Sequence, residues 1–292
     1  MIRPSDRGLK LMHAGAAGAS ALARQVCSRA WIETAATLKQ DERSAVYRGE
    51  AIVAGVHRVV IVKTMRLNRI RDLFSRWFRR TRLMRQWRGA ALLDAAGIPA
   101  ARPFALFRGR DAGSRNVIET LVMEFVEGKM LLQYAAEQTP GCPEQRALAR
   151  AVGSHAAGLL RAGLFNRDHK PSNIIAQRVP DGPDWRLVLI DTVGIRRAGA
   201  FSGAGDRGDA LLATMLAKLW IECLGVGASV DRSLRWRVVL AACESRIGPG
   251  QAPMLARRLW REIHAVVRAH GDPRPKDDPL APTPAVRSAR ST

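Results

Sequence analysis

Residues 166–175 read NRDHKPSNII and gather side chains able to handle a hydroxyl group and a metal-bound anion. Asp168 is a carboxylate between two basic residues, and Asn173 follows five residues after it. A second carboxylate, Asp191, ends the apolar run WRLVLID. One carboxylate can accept the proton of an attacking hydroxyl, while an amide oxygen and another carboxylate are suitable Mg²⁺ ligands.

The elements around these residues are predicted from turn and periodicity signals. A helix is expected to begin at Pro143–Glu144 and to end at Gly163, just before the motif. After the motif, NIIAQRV and WRLVLID are two apolar runs joined by PDGPD, which is typical of a β-hairpin. A helix, a polar loop, a hairpin and an aspartate at the strand end form the arrangement that phosphoryl transfer from ATP requires.

The motif NRDHKPSN resembles the catalytic loop of protein kinases, H-R-D-L-K-P-x-N, and departs from it at Asn166 and His169. The resemblance implies that Asp168 orients and deprotonates the acceptor hydroxyl and that Lys170 neutralises phosphate charge. It also implies that Asn173 holds magnesium. A polar loop that only caps a helix is the alternative interpretation.

The run LVLIDTVG resembles the kinase D-F-G segment, with Thr192–Val193 in place of the phenylalanine. The resemblance makes Asp191 the second magnesium ligand. The position of the aspartate is kept, but the phenylalanine switch of kinases is not.

Upstream, ETAATLK, SAVYRGEAIV and HRVVIVKT are short runs that predict a β-meander over about residues 33–64. VVIVKT places Lys63 at the end of a strand and resembles kinase V-A-I-K, whose lysine contacts the nucleotide phosphates. Ser44 lies in the preceding loop, where its hydroxyl and neighbouring amides are expected to reach the phosphates.

Two further strands are predicted in ALFRG and NVIETLVMEF, with the turn DAGS between them. The run LVMEFVEG is then the candidate hinge. Met123 would border the nucleotide pocket, and the backbone from Glu124 to Val126 would meet the adenine. An ordinary strand end is the alternative.

Two expected features of a kinase are missing. The loop between the first two strands has no G-x-G-x-x-G, and the helix after Lys63 lacks a glutamate to pair with the lysine. Gln86 and Asp94 lie nearest to the expected place. These departures favour an alternative in which the chain is a catalytically weak pseudokinase acting as a membrane or partner adaptor.

Within the kinase-like superfamily, the chain resembles the bacterial lipopolysaccharide kinase family, which phosphorylates Kdo or heptose sugars. LKQDERSAVYR, VVIVKTMR and RQWRGAALLDAAGIPAARPFAL carry the resemblance, which covers about residues 33–225. It implies an α+β, two-lobed protein-kinase-like fold that uses ATP and Mg²⁺ on a sugar or glycolipid acceptor. The expected divisions are an N-terminal extension (1–32), a β-rich N-lobe (33–123), a hinge (124–128), a helical C-lobe (129–270) and a disordered tail (271–292).

The spacing after Asp191 bears on the acceptor. The next long helix is expected to begin near Asp206–Asp209, which leaves about fifteen residues without an A-P-E motif or room for a peptide-docking segment. A non-protein acceptor is therefore favoured. A Ser/Thr protein kinase remains the alternative, which Lys170 favours.

The net charge of +21 favours anionic partners. Residues Arg66–Arg88 hold nine arginines and a single acid, interleaved with aromatic side chains. On a helix they would suit phosphorylated glycolipid or an anionic inner-membrane surface, and a solvated basic helix is the alternative. No nucleic-acid-binding motif occurs, so no nucleic-acid partner is expected. The oligomeric state is left open.

The four cysteines are widely spaced without CxxC pairs, so neither a disulfide framework nor a structural metal is expected. The start of the chain lacks an apolar core of signal-peptide length. The apolar stretch Ala210–Val230 is interrupted by Lys218 and Glu222, an i,i+4 pair expected to share one face of a buried helix. The expected location is cytoplasmic, with peripheral attachment at the inner face of the membrane.

Overall fold

The computed structural model describes residues 8–68, 81–111, 116–137, 142–180, 184–199, 205–274 and 279–280. They divide into two compact units. The first contains the described residues within Met1–Ala90 and Ala101–Phe125, and the second contains those within Ala91–Ala100 and Val126–Ala281. The first unit is rich in strands and the second is mostly helical, which confirms the predicted α+β fold class.

The first unit is built on a six-stranded sheet with the order β1-β5-β6-β4-β3-β2, in which all neighbouring strands are antiparallel. Its strands are β1 (Lys10–Ala14), β2 (Ala36–Gln40), β3 (Ser44–Val53), β4 (Val56–Arg66), β5 (Pro103–Arg110) and β6 (Val117–Glu124). Ala54 and Gly55 both have positive φ, 51° and 82°, as a two-residue hairpin turn between β3 and β4 requires. The predicted strands of this region are thus confirmed, except that Glu33 and Thr34 at the start of ETAATLK lie in a helix.

One face of this sheet carries helices α1 (Ala19–Cys27) and α2 (Arg29–Thr34). Buried residues alternate along β3, and Tyr47 packs with Leu22 and Trp31 in one apolar cluster. The Trp31 indole nitrogen donates to the Glu50 carbonyl at 2.6 Å. A Cβ at Gly49 would lie 2.8 Å from the Trp31 ring, so glycine is needed for this close contact.

Residues 1–32 were predicted to be an extension, yet their described part belongs to the first unit. β1 pairs with β5, with Lys10 opposite Arg108 and Ala14 opposite Ala105. α1 contributes Leu22 and Val26 to the apolar cluster beneath the sheet. The segment completes one edge of the sheet because its apolar positions face the same core.

The basic segment Arg66–Arg88 is only partly described. β4 continues to Arg66, and the next described helix is α3 (Arg82–Ala95). Residues 69–80 lie outside the described residues, so most of the surface predicted to meet an anionic membrane is not described. α3 ends at Ala95, and Gly97 follows with a φ of 67°, which allows the Ile98 amide to donate to the Leu93 carbonyl at 2.9 Å.

The second unit is a bundle of helices with two small sheets. Its helices are α4 (Leu131–Ala136), α5 (Pro143–Arg161), α6 (Asp206–Gly225), α7 (Arg232–Ile247) and α8 (Ala252–Ala269). Its strands are β7 (Lys129–Met130), β8 (Leu164–Asn166), β9 (Ile174–Arg178), β10 (Trp185–Leu189) and β11 (Ile195–Arg197). The predicted helix starts at Pro143 and near Asp206 are confirmed.

The core of this unit lies among α5, α6, α7 and α8, with Leu159, Leu216, Val239 and Leu259 fully buried. A Cβ at Gly153 of α5 would collide with the Val238 carbonyl oxygen of α7. These two helices approach closely there because residue 153 has no side chain.

Two small sheets frame the loop of interest. The order β10-β9-β7 contains the predicted hairpin, with Leu189 opposite Ile174, while residues 181–183 of its turn lie outside the described residues. The second sheet pairs β11 with β8, with Ile195 opposite Asn166, and the sequence did not predict it. Of the predicted disordered tail, only residues 271–274 and 279–280 are described.

Within the described ranges, no helix has both the length and the apolar character needed to cross a membrane. α6 contains most of the apolar stretch predicted to be a buried helix, and Leu212, Met215 and Leu216 in it are fully or almost fully buried.

Candidate active site

The loop that carries Asp168 is held by backbone bonds from both sides. The Asp168 amide donates to the side-chain oxygen of the fully buried Asn166 at 3.0 Å. The Arg167 amide donates to the Gly194 carbonyl at 3.0 Å, and the Lys170 amide to the Asp168 carbonyl at 2.9 Å. Asn166, one of the departures from the kinase motif, therefore shapes the loop directly.

Asn173 connects the two aspartates. Its side-chain nitrogen donates to the Asp168 carbonyl at 3.1 Å, and its own carbonyl accepts from the Ile190 amide at 3.0 Å. Asp191 follows Ile190 in the chain, so Asn173 lies between the backbone of one aspartate and that of the other. With its nitrogen engaged, the Asn173 amide oxygen remains as the group suited to a cation.

The segment after β10 packs against the loop of Asp168. The Asp191 carboxylate accepts from the Val193 amide at 3.2 Å, which forms a tight turn. A Cβ at Gly194 would lie 2.7 Å from both the Asp168 amide nitrogen and the Asn166 side-chain oxygen. The glycine of LVLIDTVG is thus required by close packing.

The charged groups at the loop surface are accessible. The Asp168 side chain is 39% exposed and lies 3.3 Å from the Arg167 guanidinium. An ion pair this exposed contributes little to stability, since water screens it. Asp168 is therefore open to a hydroxyl group, and the exposed Lys170 lies two residues away.

A carboxylate that the sequence did not point to supports the loop from below. Glu222 of α6 accepts from the Ser172 amide at 2.9 Å and from the Ser172 hydroxyl at 2.7 Å. The sequence suggested Lys218 as its neighbour on the helix, whereas its carboxylate binds the catalytic loop instead. The i,i+4 spacing is a local signal, so it gave no hint of a partner fifty residues away.

Two stacked histidines lie beneath Asp168. The rings of His155 and His169 are 5.8 Å apart at an interplanar angle of 12°. Burial lowers the pKa of His155 to about 4, and burial together with the His155 charge lowers the pKa of His169 to about 3. Both rings are therefore neutral at pH 7. His169 was interpreted as a packing residue, and its complete burial agrees with that.

Lys63 lies on β4 of the first unit, opposite Val46 of β3 and Leu121 of β6. Glu119, Leu121 and Met123 lie on one face of the sheet, because they are two residues apart along β6 and successive side chains of a strand point to opposite faces. Met123 is buried, and its sulfur accepts from the Gln86 side chain at 3.4 Å. Gln86, weighed as a substitute partner for Lys63, is thus bonded to Met123.

Glu119 is a fully buried carboxylate on this face. It accepts from Arg108 Nε at 3.0 Å and from the Thr81 hydroxyl at 2.5 Å. It lies two positions along β6 from Leu121, which makes it a diagonal neighbour of Lys63. The sequence predicted the missing glutamate on a helix, whereas this buried carboxylate lies on a strand.

Ser44 and its neighbours surround the carboxylate of Asp41. That carboxylate accepts from the amides of Arg43 and Ser44 at 2.7 Å each, and from the Ser44 hydroxyl at 2.6 Å. The hydrogen bond from the Ser44 hydroxyl is the main reason that the pKa of Asp41 is lowered. The donors predicted to reach phosphates are bonded to a carboxylate of the same loop.

One of the points at which the chain passes from one unit to the other lies between Phe125 and Val126, within the predicted hinge 124–128, which stays a prediction. Glu124 ends β6, where its amide donates to the Arg102 carbonyl at 2.8 Å and its side chain accepts from the Arg102 amide at 3.2 Å. Lys63, Ser44, Met123 and Glu124 belong to the first unit. Val126, Asp168, Lys170, Asn173 and Asp191 belong to the second, and the last four converge there.

The oxygen atoms of Asp191 and Asn173 fit a hard divalent cation such as Mg²⁺, which takes one or two carboxylates and completes its shell with phosphate oxygens and water. The part of the chain that the structure describes holds no group of three or more His, Cys, Asp or Glu side chains able to bind a metal. The donor set is therefore of the kind that shares its cation with a phosphate ligand.

Comparisons with known proteins bear on this geometry. A family model described as lipopolysaccharide kinase (Kdo/WaaP) family matches residues 30–194, which is more than half of the chain and includes the Asp168 loop and Asp191. No curated protein matches the sequence. A solved structure of "WaaP in complex with acyl carrier protein" is similar in fold, with a TM-score of 0.53 and 18% identity over 80% of this chain and 88% of that chain.

Proposed function

The chain belongs to the lipopolysaccharide kinase (Kdo/WaaP) family and is therefore a kinase of lipopolysaccharide sugars. We propose that it transfers phosphate from ATP, with Mg²⁺, to a sugar hydroxyl of a lipopolysaccharide-like glycolipid. The observation that supports this most strongly is that Asn173 donates to the Asp168 carbonyl and accepts from the amide of Ile190, the residue before Asp191. These bonds bring the backbone segments of the three residues together.

The second unit supplies the chemistry at the acceptor. Asp168 orients the hydroxyl and accepts its proton, a role in which a positioned base typically contributes about 10²–10⁴-fold. Its exposure leaves room for a sugar, while Asn166 and Glu222 fix the loop. Lys170 neutralises phosphate charge, and Arg167 braces the loop.

The residues assigned to the nucleotide are those that the kinase resemblance implies. Asn173 and Asp191 would hold the magnesium ion, which neutralises charge on the phosphate oxygens when bound. Lys63 would contact the phosphates, and Ser44 would approach them once its donors leave Asp41. Met123, Glu124 and Val126 are assigned to the adenine pocket.

The short connection between Asp191 and α6 favours a sugar over a peptide as the acceptor. β11 lies within this connection and pairs with β8, so its described part is committed to the sheet beside the catalytic loop. A peptide substrate of a Ser/Thr protein kinase would need this segment as a docking surface.

The membrane is part of the proposal because the acceptor is a glycolipid. The protein would work at the cytoplasmic face of the inner membrane, with the basic segment Arg66–Arg88 attached to the anionic surface.

Radiolabelled ATP offered with core-sugar glycolipid, and separately with a general protein substrate, tests the proposal. We expect Mg²⁺-dependent labelling of the glycolipid, and Asp168→Asn lowers it by about 10²–10⁴-fold. Asp184→Asn, an exposed carboxylate of the neighbouring hairpin, is the matched control and keeps full activity.

Labelling of the protein substrate alone would instead identify a protein kinase. Failure to label either acceptor in the presence of nucleotide binding would identify an adaptor with a weak or silent site.

A further inference from the structure

An open cleft of about 810 Å³ lies between the first turn of α7 and the middle of α8, in the second unit. Three arginines and two tryptophans dominate its walls: Arg232, Trp236, Arg257, Trp260 and Arg261. None of these residues belongs to the catalytic loop or to the metal-binding groups described above.

The arginines of this cleft lack the carboxylate partners that a neighbouring arginine has. Arg258 on the same helix contacts Asp206, Asp209 and Glu262. Arg257 and Arg261 are exposed and have no ion pair within the described residues; the Arg261 Nε donates only to the Arg257 carbonyl at 3.5 Å.

Arg232 is also exposed and without an ion pair in the described part of the chain. Asp231 is the one acid in the described lining of the cleft, and it caps α7 by accepting from the Ser233 amide at 2.7 Å. Three arginines and one aspartate give the described lining a net positive charge.

A histidine beside the cleft reports the same excess. Partial burial lowers the pKa of His264, and the positive charges of Arg235, Arg268 and Arg232 lower it further. The His264 ring contacts Trp260, with centroids 5.0 Å apart. Protonation is opposed there because the local potential is already positive, which is a potential that attracts an anion.

Aromatic and apolar groups accompany the positive charge. Trp236 and Trp260 meet edge to face with centroids 5.5 Å apart. Met254 is 71% exposed, and it precedes Arg257 by three residues and Arg261 by seven, so the three share one face of α8. Arginine, indole and an exposed apolar side chain together are typical of a surface that meets the headgroup region of a bilayer.

We propose that the α7–α8 cleft binds the phosphorylated headgroup of an anionic lipid and so gives the second unit its own contact with a membrane surface. The cleft is distinct from the basic segment Arg66–Arg88 of the first unit. The inference does not depend on phosphoryl transfer, because no residue in it takes part in that reaction.

Vesicle cosedimentation of the full chain tests this inference. The vesicles contain phosphatidylcholine alone or phosphatidylcholine mixed with phosphatidylglycerol. The wild type is compared with the double variant Arg257→Glu/Arg261→Glu. The double charge reversal is expected to weaken partitioning to anionic vesicles by about tenfold or more, because each basic side chain near such a surface adds to the attraction.

The matched control is Arg150→Glu/Arg186→Glu, which alters two exposed arginines of the same unit and gives the same change of net charge. Circular dichroism and melting temperature confirm that both variants fold. Equal partitioning of the two variants would overturn the proposal, because only long-range charge would then matter.

Two competitors identify the ligand chemistry. Glycerol phosphate and inorganic phosphate in solution should displace the wild type only weakly, since they lack a bilayer. Displacement by either one at low concentration would contradict a lipid surface. Single-stranded RNA is offered to both variants as a second polyanion. A loss of RNA binding in the cleft variant as large as its loss of vesicle binding would also contradict a lipid surface. Phosphorylation of a soluble sugar acceptor should be unchanged in both variants, which separates this result from any failure of the proposed activity.

Discussion

At the residue scale, the groups around Asp168 are of two kinds: exposed side chains available to ligands and buried ones that hold the loop. Asp168 and Lys170 are of the first kind. Asn166, His169 and Glu222 are buried and bond to the loop or pack beneath it. The backbone of the Asp168 loop is thus held by buried groups, as the proposed role of Asp168 as a positioned base requires.

The buried histidine pair predicts a loss of stability in mild acid. The unfolded chain binds protons at His155 and His169 below about pH 6.5, while burial keeps the folded rings neutral until their pKa values of about 4 and about 3. The contribution of each ring is complete above pH 6.5 and decreases as the pH falls. Between pH 6.5 and the pKa of the folded ring, each histidine lowers the unfolding free energy by about 1.4 kcal/mol for every unit by which the pH falls.

Denaturant unfolding between pH 7 and pH 5 measures this effect. His155→Leu should reduce the pH slope of the unfolding free energy by about one proton relative to the wild type. Identical slopes in the wild type and His155→Leu would show that the ring titrates normally in the folded protein.

The sequence predicts which groups react but does not point to the groups that position them. Asp168, Asn173 and Asp191 stand out because their types and spacing are constrained by the chemistry. Glu222 and Glu119 do not, because a carboxylate on a helix or strand is common and its partners, Ser172 and Arg108, are set only by the folded structure.

At the element scale, the loop after β8 and the turn after β10 function as a pair. Strand β11 pairs with β8, and the Arg167 amide binds the Gly194 carbonyl, so the two segments hold each other in place. The Ser172–Glu222 bonds then fix the pair to α6. The aspartates are positioned by this arrangement of short elements rather than by one long one.

Gly194→Ala should therefore impair catalysis more than folding. The added methyl group would lie 2.7 Å from the Asp168 amide nitrogen, so the loop must shift. We expect the kcat of glycolipid phosphorylation to fall by about tenfold to a hundredfold, since small misplacements of a catalytic group are costly.

Gly158→Ala is the control for this substitution. A Cβ added at Gly158 of α5 would lie 3.9 Å from the Arg161 side chain, an ordinary contact distance, so the substitution should leave kcat unchanged and stabilise the helix slightly. A Gly194→Ala enzyme with normal kcat would show that the close approach of the two segments is not needed.

Elements with local signals were predictable, and pairings between distant segments were not. The hairpin β3–β4, the hairpin β9–β10 and the start of α5 each have turn or capping residues in the sequence. The β1–β5 and β8–β11 pairs join segments with long intervening chain, and their strands are too short or too polar to show a period.

At the scale of the whole molecule, each of the two units contains basic groups suited to anions. The first unit contains Lys63 and the start of the basic segment, and the second contains the aspartates and the arginine cleft between α7 and α8. A chain with a net charge of +21 thus has candidate anion-binding groups in each unit. The α+β fold class was implied by the resemblance of the sequence to the lipopolysaccharide kinase family, and the strand-rich first unit and helical second unit agree with it.

The most direct test of the proposed active site is nucleotide-dependent thermal stability. ATP should stabilise the wild type mainly when Mg²⁺ is present, by about 2.7 kcal/mol at a hundredfold excess over its dissociation constant. Asp191→Asn should lose the Mg²⁺-dependent part while keeping its melting temperature without ligand. A wild type that does not respond to ATP and Mg²⁺, or an Asp191→Asn variant that responds equally, would contradict a metal-bound nucleotide at Asp168, Asn173 and Asp191.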